Sequence, residues 1–316
     1  MKRFSVLSRY ASGLMALMGF VQTPSTLADP PAPAPVPEVT VTAPKLPSAA
    51  ELAGPSVANF VAAHARPSIA TGMLARWHDP VCARAVGLPP DLDTFIAARI
   101  AAVAASVGAP AGAADCKPNI HIFFTDDPQT LITQVAQKYP YLLGFHYPHQ
   151  TESVASVRHS IEGWYETATQ GADGGVALDQ PVRLNSADQD GLNGKLQSKT
   201  PPGRAGSHLG DRRSSLLVHV LIVADVHAVG GLQIRSISDY LALLVLSQTR
   251  QQDACGQLPS ILDLLAPECD REKPTAVTAS DLAFLRALYA TADQGAPYYM
   301  EKASIDGRVR SALVAH

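Results

Sequence analysis

Apolar positions are unevenly spread along this chain, and the densest run is Leu216 to Ala224. Leu216, Leu217, Val218, Val220, Leu221, Ile222 and Val223 follow one another almost without a break, and β-branched residues dominate. Such a run predicts a strand buried on both faces. A glycine turn, Gly230-Gly231, separates it from a second apolar stretch, Ile234 to Ser247. There, Ile237, Tyr240, Leu241, Leu244 and Val245 repeat with helical spacing, and Leu243 and Leu246 cover a second face. This predicts a helix enclosed on most sides, about 234–249, with Asp239 near its start facing the positive end of the dipole.

The same pattern outlines the rest. A short helix is expected over Ser56 to Ala65, and Trp77 reads as a core anchor. Pro89-Pro90-Asp91 opens a helix over Leu92 to Val107, with Phe95, Ile96, Ile100, Val103 and Ala104 on its inner face. Asn119 to Phe124 alternates as a strand. Asp126 and Asp127 read as the cap and first-turn acids of a helix over Gln129 to Lys138, with Leu131 and Val135 inward, rather than as cation ligands. Arg158 to Thr167 reads as a strand or strand-like edge. Gln170 to Arg213 is polar and locally basic, through Lys195, Lys199, Arg204, Arg212 and Arg213, which predicts a long loop insertion. A short helix spans Leu258 to Leu265. Thr278 or Ser280 caps a last helix, Asp281 to Tyr289, and the stretch around Tyr298-Tyr299-Met300 reads as a packed tail with a frayed end. The sum is an α+β domain, a mixed sheet packed with helices, over residues 51–316.

Two segments precede that domain. Lys2, Arg3 and Arg9, the apolar Gly13 to Val21 and the small-residue site Thr26-Leu27-Ala28 form a secretory signal, with cleavage expected after Ala28. Its apolar run is too short for a typical transmembrane helix, and an integral membrane protein is not expected. Residues 29–50 are proline-rich, which favours an extended linker over a core. Within it, residues 38–43 (EVTVTA) resemble the TonB box of outer-membrane receptors. Export makes the four cysteines a disulfide framework. Of three possible pairings, the sequence-local one, Cys82–Cys116 and Cys255–Cys269, is expected. No CxxC spacing supports a thiolate metal site.

Charge and motifs narrow the chemistry by exclusion. A net charge of −3 with 17% charged residues argues against a nucleic-acid binder. No GxSxG, GxxxxGK[ST] or strand-borne GxGxxG is present. Asp225 and His227 close the apolar strand that His219 interrupts, and they read as turn and loop residues. With Asp239 they are nevertheless the candidates for a catalytic site built from scattered positions. His146, His149 and His159 form an HxxH followed by a third histidine, the residue type that holds zinc; Pro148 keeps the first two off a helix face.

The second half carries a resemblance. The apolar strand, the enclosed helix, Pro259-Ser260-Ile261 and the pattern Thr278, Asp281, Leu285, Arg286, Leu288, Tyr289 together resemble a family of uncharacterised secreted bacterial proteins related to the zincin metallopeptidases, over about residues 215–300. The resemblance implies a zincin-like fold whose helix bears an HExxH-type zinc site. Here Ser238, Asp239 and Ala242 stand at those positions, with Val245 and Gln248 in the longer form, so every zinc ligand is missing. No cofactor is therefore expected. The expected function is a non-catalytic, periplasmic or secreted domain that binds an envelope or extracellular protein or glycan. The alternative is an exported hydrolase, peptidase or glycan-active. A third reading is a TonB-linked accessory factor acting through residues 38–43.

Overall fold

The computed structural model describes residues 55–113, 115–180, 213–291 and 295–315. The expected signal segment, the expected linker with its expected TonB-like stretch and the greater part of the expected polar loop, 181–212, lie outside the described residues. The chain divides into Met1–Thr42 and Ala43–His316. All the described residues lie in the second unit. In chain order its elements are α1 (Ser56–His64), β1 (Ala75–Trp77), β2 (Ala83–Val86), α2 (Pro90–Val107), β3 (Ile120–Thr125), α3 (Pro128–Lys138), the short α4 (Thr151–Val154), β4 (Ile161–Gln170), β5 (Val176–Leu178), β6 (Ser214–Asp225), the single turn α5 (Val226–Val229), α6 (Ile234–Leu246), α7 (Ala279–Ala290) and α8 (Tyr298–Val314).

This is a mixed α+β fold. The strands run in the order β2-β3-β6-β4-β5. β6 pairs in parallel with β3 along Val220–Asp225 and with β1 along Ser215–Leu217, so two short strands share one of its edges. Its other edge takes β4, antiparallel and ten residues long, with a bulge where Glu166 faces His219 but Thr167 faces Leu217. Val218 is the extra residue. The strand expected at an edge is thus inside the sheet along its second half, where β5 pairs with it. The continuous apolar run of β6 is explained by burial on both faces. Val220, Ile222 and Ala224 enter the main core with α1, α2, α6, α7 and α8, while Leu221 and Val223 join a smaller cluster with Ile132, Leu143 and Trp164.

Helix α6 is enclosed from Ser236 to Leu246. Enclosure leaves the last carbonyls of a helix without water, and each needs a donor from elsewhere. Here four side chains supply them. Ser247 Oγ donates to Leu243 O at 2.7 Å, Trp77 Nε1 to Val245 O at 2.7 Å and the Tyr289 hydroxyl to Leu246 O at 2.8 Å, while the Tyr165 hydroxyl shares its proton between Leu244 O at 3.0 Å and Thr249 O at 2.7 Å. Trp77 is the expected core anchor, 2% exposed, and it caps the helix as well.

Several expectations change. Phe95 faces outward, 40% exposed, while Ile96, Ile100, Val103, Ala104 and Val107 form the buried face of α2. In α3 only Ile132 is fully buried, with Leu131 and Val135 partly so. The C-terminal tail is the 17-residue helix α8. It went unread because its buried positions come once per turn, at Glu301, Ile305, Val309 and Leu313, while the apolar Tyr299, Met300 and Val314 are exposed and blur the contrast. Both sequence-local disulfides are present and no free cysteine remains. Among the described residues, no helix is long and apolar enough to cross a membrane.

Candidate functional site

A cleft of about 390 Å³ runs along β4. Glu162, Gly163, Trp164, Tyr165 and Thr167 line it from the strand. β5 pairs only with Ala168 to Gln170, which leaves the preceding stretch open to the cleft. Gln248 and Arg250, just past α6, form one wall, and the Leu143–Phe145 turn and the α4 region form another. Gly144 makes this approach possible. Its φ is +75°, and a Cβ there would lie 2.2 Å from the carbonyl oxygen of Tyr165. Only glycine meets both conditions cheaply.

His159 and Glu162 provide the acid–base pair of the cleft. His159 Nδ1 lies 2.8 Å from Glu162 Oε2, and its Nε2 is 3.6 Å from Asp253 Oδ1. A carboxylate oxygen accepts from the Nδ1–H, so Glu162 fixes the orientation of the imidazole and turns Nε2 toward Asp253. His159 and Glu162 are both partly exposed, whereas Asp253 is 69% exposed and carried on the surface. A shallower groove of about 340 Å³ adjoins this pair through Arg158 and His159. It runs past Asp126, Asp127 and Asp225 at the carboxyl ends of β3 and β6.

The positions singled out in the sequence do not converge. Asp239 is fully enclosed, in the second turn of α6 rather than at its start. Its carboxylate accepts from Arg99 Nε and Nη2 of α2 and from the backbone N–H of Val277. The expected dipole role is replaced by an ion pair between helices. Ser238 and Ala242 are enclosed too, and Ser238 Oγ donates to Ile234 O. Asp225 caps the α5 turn by accepting from His227 N at 2.8 Å, and His227 is exposed. His219 sits on the opposite sheet face from the main core. Its Nε2 is 2.8 Å from His121 Nδ1. Burial, then the neighbouring His121, lowers its pKa to about 4. Burial and Arg84 lower His121 as well.

Of the proposed metal-binding histidines, His146 is buried with Nδ1 2.8 Å from Gly144 O, His149 is exposed, and His159 is held by Glu162. The single group of three His, Cys, Asp or Glu side chains with converging ligand atoms, among the described residues, is Cys255, Asp263 and Cys269. Its two sulfurs are bonded to each other, so it offers no thiolates to a metal. Asp126 lines the groove and Asp127 caps α3, accepting from Thr130 N.

Ser260, Thr278 and Asp281, which carried the expected resemblance, have structural roles. Asp281, fully buried, accepts from Ser260 Oγ, Ile261 N, Thr278 N and Thr278 Oγ1 at 2.7 to 2.9 Å. These bonds cap α7 and tie the Ile261–Leu265 turn to it. His64 Nε2 is 3.1 Å from Ser260 Oγ. Serine, histidine and aspartate thus meet, but in the core, with serine in the middle and no opening to a cleft.

Glu162, Arg250 and Arg99 were not singled out in the sequence. Glu162 was legible in principle, as the carboxylate three residues after His159. Nothing local marks Arg99 or Arg250. Compared with known proteins, the chain matches no family model, no curated protein and no solved structure.

Proposed function

We propose that the protein is an exported hydrolase whose site is the cleft along β4, acting on an extended peptide or glycan strand of the envelope or its surroundings. The observation that carries this reading is the 2.8 Å bond between His159 and Glu162 on the cleft wall. A carboxylate-oriented imidazole beside a cavity is the arrangement that takes a proton from water. His159 Nε2 accepts that proton as the water oxygen bonds to the electrophilic carbon, Glu162 with Asp253 stabilises the imidazolium, and the imidazolium returns the proton to the leaving amine or alcohol as the scissile bond breaks. The zincin-like relationship enters as one of fold only, supported by an enclosed helix following β6, and export rests on the N-terminal sequence. The test is turnover of peptide and glycan substrates by the parent protein, His159→Ala and Glu162→Gln. Loss of turnover with binding intact is the expected result.

A second reading, a non-catalytic binding domain, is favoured by the state of α6. Its Ser238, Asp239 and Ala242 are enclosed and bonded inward, so the helix presents nothing to a substrate. Trp164 lines the cleft, and its fluorescence reports occupancy. Quenching or enhancement by such ligands without turnover in the parent protein would select this reading.

A further inference from the structure

Exposed aromatic rings gather on one side of the cleft. Among the described residues Phe95, Tyr139, Tyr141, Tyr147 and Tyr299 stand exposed, and three of the five belong to the segment 139–149. Phe95 on α2 and Tyr299 on α8 meet no other ring among the described residues. In the segment, by contrast, rings are paired. Tyr139 and Tyr141 meet edge to face at 6.3 Å. Phe145 and Tyr147 do the same at 5.4 Å, and Tyr147 lies nearly parallel to His149, with 5.9 Å between centroids and 8° between planes.

The last three rings form a ladder that begins in the cleft. Phe145 and Gln150 line the cleft, Tyr147 is 38% exposed and His149 is exposed. The backbone holds this ladder in place. His146, between the first two rings, is buried, with Nδ1 2.8 Å from Gly144 O. Tyr147 N–H donates to Gln150 Oε1 at 3.0 Å, and Gln150 N–H donates back to Tyr147 O at 2.9 Å. Pro148 opens the single turn between them with its φ already fixed. A surface ordered in advance loses little conformational freedom when a ligand settles on it.

Two observations say which ligand fits. Between Lys138 and Glu152 the chain carries no Asp, Glu, Lys or Arg, so the segment complements a neutral molecule rather than an ion. The adjoining cleft wall is hydroxylic and amidic, through Gln150, Ser153 and Ser156. A sugar meets both conditions. Its C–H face lies on the negative face of an aromatic ring, and its hydroxyl rim both donates and accepts. A proline-rich peptide also stacks on aromatic rings, but proline has no N–H and leaves the acceptors of that wall unmatched.

We infer that Phe145, Tyr147 and His149 form a stacking subsite for a neutral glycan, which continues from them along the cleft toward His159. This rests on the hydrolase reading of the cleft and narrows its substrate class to glycans.

Calorimetry on the full chain tests it with three probes: a tetramer of β-1,4-linked glucose, the corresponding tetramer of N-acetylglucosamine, and a capped peptide of alternating proline and alanine. At least one tetrasaccharide should bind, and the tighter of the two identifies the sugar unit. Tyr147→Phe keeps the ring and should bind within about twofold of the parent, whereas Tyr147→Leu, apolar but without a ring, should bind about tenfold more weakly. The Tyr147 ring is exposed and its bonds to Gln150 are made by the backbone, so both variants should melt with the parent. Parental glycan binding by Tyr147→Leu would overturn the subsite. Binding of the peptide in place of both glycans, with the same loss in Tyr147→Leu, would overturn the glycan assignment. No glycan binding in a parent that cleaves peptides, with cleavage lost in His159→Ala, would overturn this inference and leave the hydrolase reading standing. Neither binding nor turnover would overturn both.

Discussion

Replacing Asp239 separates a structural carboxylate from a catalytic one. The side chain is fully enclosed between α6 and α2 and accepts three hydrogen bonds, two from Arg99 and one from Val277 N. Truncation to alanine strands the guanidinium and one backbone donor. Removing one partner of a buried ion pair costs about 3 to 5 kcal/mol. The Arg99 side chain is 24% exposed and regains some hydration, which places the loss at the lower end, about 3 kcal/mol. The unpaired Val277 N–H adds about 1 kcal/mol. Each kcal/mol moves the thermal midpoint by about 2 to 4 °C in a domain of this size, so Asp239→Ala should melt about 10 °C below the parent. Asp239→Asn keeps the shape and one acceptor, and about half that shift is expected. Urea denaturation with the disulfides intact, followed by circular dichroism, measures the change. Both variants melting within about 1 °C of the parent, with turnover lost, would refute the reasoning and return Asp239 to the chemistry.

Other parts of the structure yield three further expectations. Burial lowers the pKa of His64 from 6.5 to about 4; between those values the unfolded chain binds a proton that the folded one does not. Stability therefore falls as pH drops from about 6.5 to about 4, by up to about 3 kcal/mol, and His64→Gln should flatten that slope. A variant whose pH profile runs parallel to the parent's would contradict the assignment. Opening Cys255–Cys269 as a double serine variant should cost about 3 kcal/mol, and opening Cys82–Cys116 about 4 kcal/mol, because the second bridge closes a longer loop, 34 residues against 14. Unchanged midpoints would argue against that entropic account. Gly144→Ala must displace the turn from the Tyr165 carbonyl. The expected result is a loss of about 1 to 3 kcal/mol and a changed Trp164 emission; a variant with parental stability and emission would count against this account of the cleft wall.

The reach of sequence pattern is clearest where the same residues were read correctly and then placed differently. The helix at Ile234 was legible because its apolar positions cover more than one face, and such a pattern requires enclosure. Asp239 inside it was legible as an acid but not as an ion-pair partner, because Arg99 lies 140 residues away in the chain. The Ser260, Thr278 and Asp281 motif was legible as a constellation, and its caps follow from local spacing. Its burial does not, since His64 and the turn at Ile261 arrive from separate elements. Helix α8 shows the opposite failure: four inward positions in seventeen residues leave too little apolar contrast for a periodic signal.

By itself the sequence determined what local chemistry decides. The both-faces-buried strand, the enclosed helix, a cap at Asp126 or Asp127 and another at Thr278 or Ser280, and the sequence-local disulfides all depend on residues near one another in the chain. Only the tertiary structure decided which groups meet at a surface. The cleft draws on Ser68, the Gly144 turn, His159, Glu162, the open stretch of β4 and Arg250. Those segments are brought together by sheet pairing and by the bonds from Trp77, Tyr165 and Tyr289 that hold the end of α6. Side chains that come together only through long-range packing leave no periodicity in the chain, because the free energy that joins them comes from burying the strands and helices that carry them.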